Sequence, residues 1–263
     1  MKGNKVKSKK QSTIKKPKTT NKGNKVTSTS GQLEKASSAK GLAAAADLGE
    51  WGHQEITHND IIIPRLLCVQ GMSSMATKGD GKIGDIRESM NESLVGGVGK
   101  PVEIIPFKLE RVWKEVDAKD KKTIKAVYPV ISDATDKNYN EDLKNEVVDS
   151  NGQVVAYRFR TMQFYALLPG VSPLPHMLEF KSTSLRAGKK IATQMYTTNR
   201  MEGKSPAAKV FNLSTIKEEK DKQVYAVFDV SVGRDATAEE QENALMWFKT
   251  LRAGQAKVHE TQE

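Results

Sequence analysis

The stretch Val155-Ala-Tyr-Arg-Phe-Arg-Thr-Met-Gln-Phe-Tyr165 decides the fold, because its residue types alternate with the period of two that a β-strand requires. In an extended strand, Tyr157 and Phe159 would lie on one side, and Arg158 and Arg160 would lie on the other. The alternation therefore predicts a long strand with one aromatic side and one basic side.

Other segments of β-branched, aromatic or helically spaced residues lie before and after this strand. Residues 182–200 have apolar positions at roughly helical spacing, and Thr237-Ala-Glu-Glu240 is a capping box that begins a helix. In chain order, the sequence predicts strands over residues 102–116, 123–131 and 154–168, a short strand over 177–181, a helix over 182–200, a hairpin made by 210–217 and 223–232, and a closing helix from 237 to about 254.

The order of three strands, a helix and two more strands is that of an OB-fold barrel, although other small α+β sheets share it. We therefore predict an α+β fold: an OB-like antiparallel β-barrel with two packed helices. Upstream of the first long strand, Ile61-Ile-Ile-Pro64 is expected to be an edge segment, because proline favours an extended residue before it. Residues 71–100 are rich in Gly, Ser, Met and Asn and are expected to be loop, with at most one short strand near 82–87.

The positive charge of the chain is concentrated in its first 40 residues, which contain twelve lysines, one acid (Glu34), no arginine and no aromatic residue. The other 223 residues have 30 lysines and arginines against 31 acids, so the body is close to neutral although the chain carries +10. The polar segment of the first 40 residues buries too little apolar surface to offset its conformational entropy. The sequence predicts a disordered Lys-rich tail over residues 1–41, and a single OB-like domain with an irregular N-terminal extension over 42–263.

Several protein classes are excluded by what the sequence lacks. No apolar segment follows the N-terminal lysines as in a signal peptide, and no run of 18 apolar residues is present to span a membrane. Cys68 is the only cysteine, so an intrachain disulfide cannot form. We expect a cytoplasmic protein, in the host cytoplasm if it is phage-encoded.

Motifs of catalysis and metal binding are incomplete. Gly203-Lys204-Ser205 matches the end of a phosphate-binding loop, but Thr198 replaces the first glycine and Pro206 stands where the helix would begin. Gly79-Asp-Gly-Lys-Ile-Gly84 has no strand–turn–helix around it and is better explained as a solvated turn. Four scattered histidines and one cysteine do not make a zinc site. The sequence therefore favours a binding protein without a catalytic residue, metal or cofactor.

Basic residues of the body interleave with aromatic ones, a combination typical of proteins that bind single-stranded nucleic acid. The lysines of the tail suit phosphate oxygens, although a solubility tail or an arm for an acidic surface has the same composition. Most aromatic residues of an alternating strand belong to the core, so Trp113, Tyr165 and Tyr196, which lie beside cations, are the better stacking candidates. The predicted nucleic-acid-binding residues are Lys108, Arg111, Trp113, Arg158, Arg160, Tyr165, Arg186, Lys189, Lys190, Tyr196, Arg200 and Lys204.

Five short stretches of the body carry a resemblance. They are Ile63-Pro-Arg-Leu-Leu-Cys-Val-Gln-Gly-Met-Ser73, Gly84-Asp-Ile86, Lys181-Ser-Thr-Ser-Leu-Arg-Ala-Gly-Lys-Lys190, Met195-Tyr196 and Asn199-Arg200. They resemble proteins encoded in tailed-bacteriophage genomes, some of which are assigned as single-stranded DNA-binding proteins. The resemblance would cover about residues 60–251 and implies no catalytic or ligand residue. Residues 255–263 lack the acidic tail with which many single-strand binders recruit partners, so that mechanism is not implied.

We therefore predict a non-enzymatic single-stranded DNA-binding protein of the phage replication or recombination type, with a lysine-rich arm and a basic, aromatic sheet face. The expected partners are single-stranded DNA and phage replication or recombination proteins, with no membrane, and a homo-oligomer is compatible with the sequence. One alternative is a virion-associated structural protein whose basic arm contacts DNA or a neighbouring subunit. The other is an enzyme of nucleic-acid metabolism whose site a single sequence does not reveal.

Overall fold

The computed structural model of this protein describes residues 61–121 and 123–253, together with the backbone of 257–258. The Lys-rich tail predicted over residues 1–41 lies outside the described residues, and so does the predicted domain boundary that follows it.

The described residues form twelve strands and three α-helices. A 3₁₀ turn, Ser182–Ser184, precedes the second helix and a π-helical turn, Thr197–Met201, follows it. The helices are α1 (Ser74–Thr77), α2 (Leu185–Tyr196) and α3 (Ala238–Arg252). The strands are β1 (Ile62–Ile63), β2 (Arg65–Cys68), β3 (Ile86–Glu88), β4 (Leu94–Gly96), β5 (Val102–Asp117), β6 (Ile124–Pro129), β7 (Glu146–Val148), β8 (Val154–Leu168), β9 (Ser172–Lys181), β10 (Lys209–Lys220), β11 (Gln223–Asp235) and β12 (Lys257–Val258).

Eight of these strands make a curled half-barrel in the order β11-β10-β5-β8-β9-β2-β3-β4, with β6 paired to β5 and β7 paired to β8. The half-barrel is mixed rather than wholly antiparallel as predicted, because β2 runs parallel to β9. A four-residue strand has no periodic pattern of its own, so its direction depends on where the chain docks. The amide of Met177 donates to the carbonyl of Pro64, just before β2, at 2.9 Å.

Several elements match their sequence predictions closely. β8 covers the predicted residues 154–168, and the hairpin appears as β10 and β11. At the start of α3 the predicted capping box is confirmed: Thr237 Oγ1 accepts from the Glu240 amide at 3.2 Å, and the Glu240 carboxylate accepts from the Thr237 amide at 2.8 Å. Within residues 71–100, β3 corresponds to the one short strand expected near 82–87, and the prediction of loop is wrong where α1 and β4 lie.

The hydrophobic core has two clusters, one on each side of the sheet. Phe164, Phe180 and Ile191 belong to the first cluster, against which α2 packs. Tyr165 and Trp247 belong to the second, which α3 covers. The second half of β8 is therefore buried on both faces.

Two local features fix where α2 and the edge of the half-barrel lie. Gly188, inside α2, sits so close to Phe180 that a Cβ on it would lie 3.1 Å from the Phe180 side chain. Gln70, just after β2, reaches the backbone of β11: its side-chain nitrogen donates to the carbonyl of Ala226 at 2.8 Å and its side-chain oxygen accepts from the Ala226 amide at 3.1 Å. This amide clamp joins β11 to the segment that follows β2.

Candidate nucleic-acid interface

One surface of helix α2 gathers cations and an exposed aromatic ring. The α2 stripe comprises Arg186, Lys189, Lys190, Tyr196 and Arg200, all of them exposed. Residues three or four apart lie on one side of a helix, and the chain continues as a π-helical turn to Arg200. The opposite side of the helix buries Ala187, Gly188 and Ile191, so the stripe must face outward.

The cations of the stripe are concentrated in the first half of α2, and one of them opposes the helix dipole. Arg186, Lys189 and Lys190 lie in the first half of α2, and no acidic residue occupies its first turn. Cations near a helix N-terminus are unfavourable by about 0.3–1 kcal/mol each, because the first amides already present partial positive charge. The effect falls off beyond the first turn, so it applies to Arg186 and not to Lys189 or Lys190. The first half of α2 therefore gathers three cations that suit an anion.

Two carboxylates of the neighbouring hairpin partly balance these cations. Arg186 lies 3.7 Å from Glu218, and Lys190 lies 3.1 Å from Asp229. Both pairs are exposed, and such pairs contribute about 0–1 kcal/mol, so a phosphate group can displace the carboxylates. Among the described residues, no ion pair involves Lys189.

A groove of about 970 Å³ runs between α2 and β11. Hydroxyl groups line it together with the cations, from Ser182, Thr183, Thr193 and Ser231. Within the part of the chain that the structure describes, β11 pairs only with β10. The groove thus offers ammonium, guanidinium and hydroxyl donors, the side-chain groups that proteins use to hold phosphates.

Tyr196 is the exposed aromatic residue of the stripe, with 63% of its surface accessible. It stands at the last position of α2, immediately before the π-helical turn that carries Arg200. The predicted residue Lys204 follows that turn; its amide donates to the carbonyl of Thr198 at 3.1 Å, and its ammonium pairs with Glu202 at 3.0 Å. Six of the twelve predicted site residues are thus close along one continuous segment.

A comparison with protein families finds one match over most of the chain. The family model described as "Pam3 phage gp34-like protein" matches residues 30–257. The chain belongs to this phage protein family. No curated protein matches it, and no solved structure matches it. The match confirms the phage part of the resemblance described above, and the single-stranded DNA-binding part stays a prediction.

Two aromatic candidates lie inside this gp34-like chain rather than on its surface. Trp113 is 2% exposed, its indole nitrogen donates to the carbonyl of Asn140 at 3.0 Å, and Arg160 lies over its ring at 5.0 Å. Tyr165 is 7% exposed, and burial, with a nearby carboxylate, raises the pKa of its hydroxyl. Neither ring is accessible to a base, so we correct the expectation that these two residues stack on nucleic acid.

The remaining basic candidates lie on β5 and β8 and are mostly paired within the protein. Lys108 pairs with Glu110 at 2.8 Å, and Arg158 pairs with Glu115 at 2.6 Å. The hydrogen bond to that carboxylate raises the pKa of Arg158, so its charge is committed to the pair. Arg160 pairs with Glu141 at 3.3 Å, and Arg111 is exposed on β5. Three of these four cations are therefore held by carboxylates of the protein itself.

The structure also adds residues that the sequence prediction missed. The groove hydroxyls from Thr193 and Ser231 come from different elements, and only Thr193 has a sequence indication, since it lies four and three residues after Lys189 and Lys190. Within the described residues, no group of His, Cys, Asp or Glu is arranged to hold a metal ion. The helices of the described part of the chain are all too short or too polar to cross a membrane.

Proposed function

We propose that this phage protein binds single-stranded DNA without catalysing a reaction on it. The α2 stripe is the observation that carries the proposal. It gathers three exposed cations in the first half of one helix, with Arg186 in the first turn, and adds an exposed tyrosine at the far end of the same helix. A row of exposed cations beside an exposed ring suits an anionic polymer that lies along the helix.

Two further features support the proposal. β5, β8 and β9, then α2, then β10 and β11 follow the chain order of an OB-fold, and their half-barrel is partly open as OB barrels are. The twelve lysines of residues 1–40 would supply a non-specific electrostatic arm that raises the local concentration of the protein on the polymer. We therefore assign general affinity to the lysine-rich segment and strand-specific contacts to the folded body.

The test is fluorescence anisotropy with a labelled oligo-dT and with a duplex of the same length, over a series of salt concentrations. The triple variant Arg186→Gln, Lys189→Gln and Lys190→Gln should flatten the dependence of log affinity on log salt by roughly 2, at about 0.7 per lost phosphate contact. A matched control removes the same charge elsewhere, at the exposed loop residues Lys78, Lys82 and Lys100. The control should keep the wild-type slope for oligo-dT.

Deletion of residues 1–40 separates the two parts of the proposal. If six to ten tail lysines engage phosphates, the salt slope should decrease by roughly 4 to 7, while the remaining body still prefers oligo-dT to duplex. Loss of all binding would show that only the lysine-rich segment contacts DNA. Equal binding of every polyanion by the intact protein would favour a virion-associated role instead.

A further inference from the structure

The C-terminal end of β5 and the N-terminal end of β8 are the two middle strands of a four-stranded part of the sheet. There β6 pairs with the outer edge of β5 and β7 pairs with the outer edge of β8, in the order β6-β5-β8-β7. We call this unit the wing. All of its pairings are antiparallel, so residues directly opposite each other share a face.

One face of the wing, the wing face, carries two rows of side chains. The first row runs Ile124, Val116, Tyr157 and Glu146 across the four strands, and the second runs Val127, Lys114 and Phe159. Ile124 and Val127 are 49% and 51% exposed, although both are large apolar residues. Tyr157 and Phe159 are half-buried, and they lie on the same side of β8 because they are two residues apart. Val116 and Lys114, in the β5 positions of the two rows, are only 6% and 5% exposed. The accessible part of the wing face is therefore made by the exposed apolar residues of β6 and the half-buried rings of β8.

The other face of the wing is closed by the chain itself. Trp113 donates to Asn140 in the loop between β6 and β7, and Glu115 accepts hydrogen bonds from Arg158 and from Tyr128, the latter at 2.8 Å. Trp113 and Glu115 are thus engaged within the protein, whereas the exposed apolar residues of β6 lie on the wing face.

An ammonium group lies over each of the two rings. Lys121 Nζ is 5.3 Å from the ring centroid of Tyr157, and Lys181 Nζ is 6.0 Å from that of Phe159. A cation–π contact at an exposed site is weaker than the stacking of a base on an aromatic ring. A base can therefore displace each ammonium group, which then becomes available to the adjoining phosphate. Glu146, opposite Tyr157, is the acid in the two rows, so cations outnumber acids here.

The spacing of the rings favours unpaired bases. Residues i and i+2 of a strand are about 6.6 Å apart, roughly twice the 3.4 Å separation of stacked bases. Two neighbouring bases can therefore each cover one ring only if they are unstacked from each other. A duplex buries the faces of its bases, so it cannot offer them to the rings.

We infer that the wing face is a stacking platform on which Tyr157 and Phe159 seat two successive unpaired bases of a single strand, with Lys121 and Lys181 on the flanking phosphates. The inference rests on the proposed function and adds the residues that recognise bases rather than phosphates. It also supplies a physical reason for a preference for single strands over duplex.

The experiment compares oligo-dT with an abasic strand of the same length, which keeps the phosphates and lacks the bases. The full chain carries Tyr157→Leu and Phe159→Leu together, since leucine keeps an apolar side chain on the strand. We expect affinity for oligo-dT to decrease about tenfold or more, and affinity for the abasic strand to stay at the wild-type value. Tyr139→Leu is the matched control: Tyr139 is half-buried, as Tyr157 and Phe159 are, but lies in the loop on the other side of the wing, so its replacement should change neither value.

A second measurement does not depend on the variant folding. Photocrosslinking of the wild-type chain to a strand that contains 5-iododeoxyuridine should label residues 157 and 159, and labelling confined to other residues would overturn the inference. In the double variant, an unchanged ratio of oligo-dT affinity to abasic-strand affinity would also overturn the inference. If a self-associated species is lost while that ratio stays unchanged, the wing face joins copies of this chain and the inference is likewise overturned. Failure of the wild-type chain to bind oligo-dT at all would instead refute the proposed function.

Discussion

Replacing Glu179 by glutamine should destabilise the fold far more than the loss of an ordinary surface charge. One carboxylate oxygen of Glu179 is paired with the ammonium of Lys114, and it also accepts from Arg65 at 3.2 Å and from Gln163 at 3.4 Å. The side chains of Glu179 and Lys114 are only 9% and 6% exposed. Breaking such a buried pair leaves an uncompensated charge and costs about 3–5 kcal/mol. With about 2–4 °C per kcal/mol for a chain of this size, the melting temperature should decrease by about 6–20 °C.

Urea and thermal unfolding of the full chain measure this effect. Asp229→Asn is the control, since it removes a carboxylate whose pair with Lys190 is exposed, and it should cost less than about 1 kcal/mol. Burial alone would raise the pKa of Glu179, but the charge and hydrogen bond of Lys114, together with Arg65, lower it overall. Because the folded-state pKa is below the unfolded one, this stabilisation is present above about pH 4.5 and is lost as the pH falls through the folded-state value. Equal shifts for the two variants, or an unchanged acid limb for Glu179→Gln, would refute the reasoning.

Three further perturbations test the fold. Gln70→Ala removes both bonds to Ala226 and should lower the free energy of unfolding by about 1–3 kcal/mol, with faster hydrogen exchange at that amide; unchanged exchange would show that the clamp is not needed. Gly188→Leu should destabilise the fold by about 1–3 kcal/mol in urea unfolding, because α2 packs too closely on the sheet for a larger side chain, and a neutral result would contradict that packing. The hydrogen bond from Arg234 lowers the pKa of Glu240 to about 2, so the stabilisation by this carboxylate is complete above pH 4.5 and is lost as the pH falls towards 2. Glu240→Gln should therefore reduce the pH dependence of the free energy of unfolding between pH 4.5 and 2. It should leave DNA affinity at neutral pH unaffected.

The candidate site was predictable only where its residues are close in sequence. Arg186, Lys189 and Lys190 lie within five positions, so once residues 182–200 are predicted to be helical, their common side follows from the helical repeat. Trp113 looked equally suitable, since it is an aromatic residue among cations. Its burial depends on Asn140 and Arg160, which are 27 and 47 positions away, and no local pattern reports those contacts.

The sequence by itself determined the features that arise from short-range chemistry. They include the alternation that makes β8, the capping box that begins α3, and the concentration of positive charge in the first 40 residues. Each depends on residues within a few positions of one another, so dihedral preference, periodicity and composition suffice to identify it.

Only the tertiary structure decided which edges meet and which side chains are covered. Three such features are the parallel pairing of β2 with β9, the Gln70 clamp on β11 and the pairing of β5 with β8 that builds the wing face. They join residues up to 156 positions apart. Such contacts form because docking buries apolar surface and satisfies backbone groups of segments that carry no pattern for each other. Their partners are therefore chosen by the folded chain as a whole.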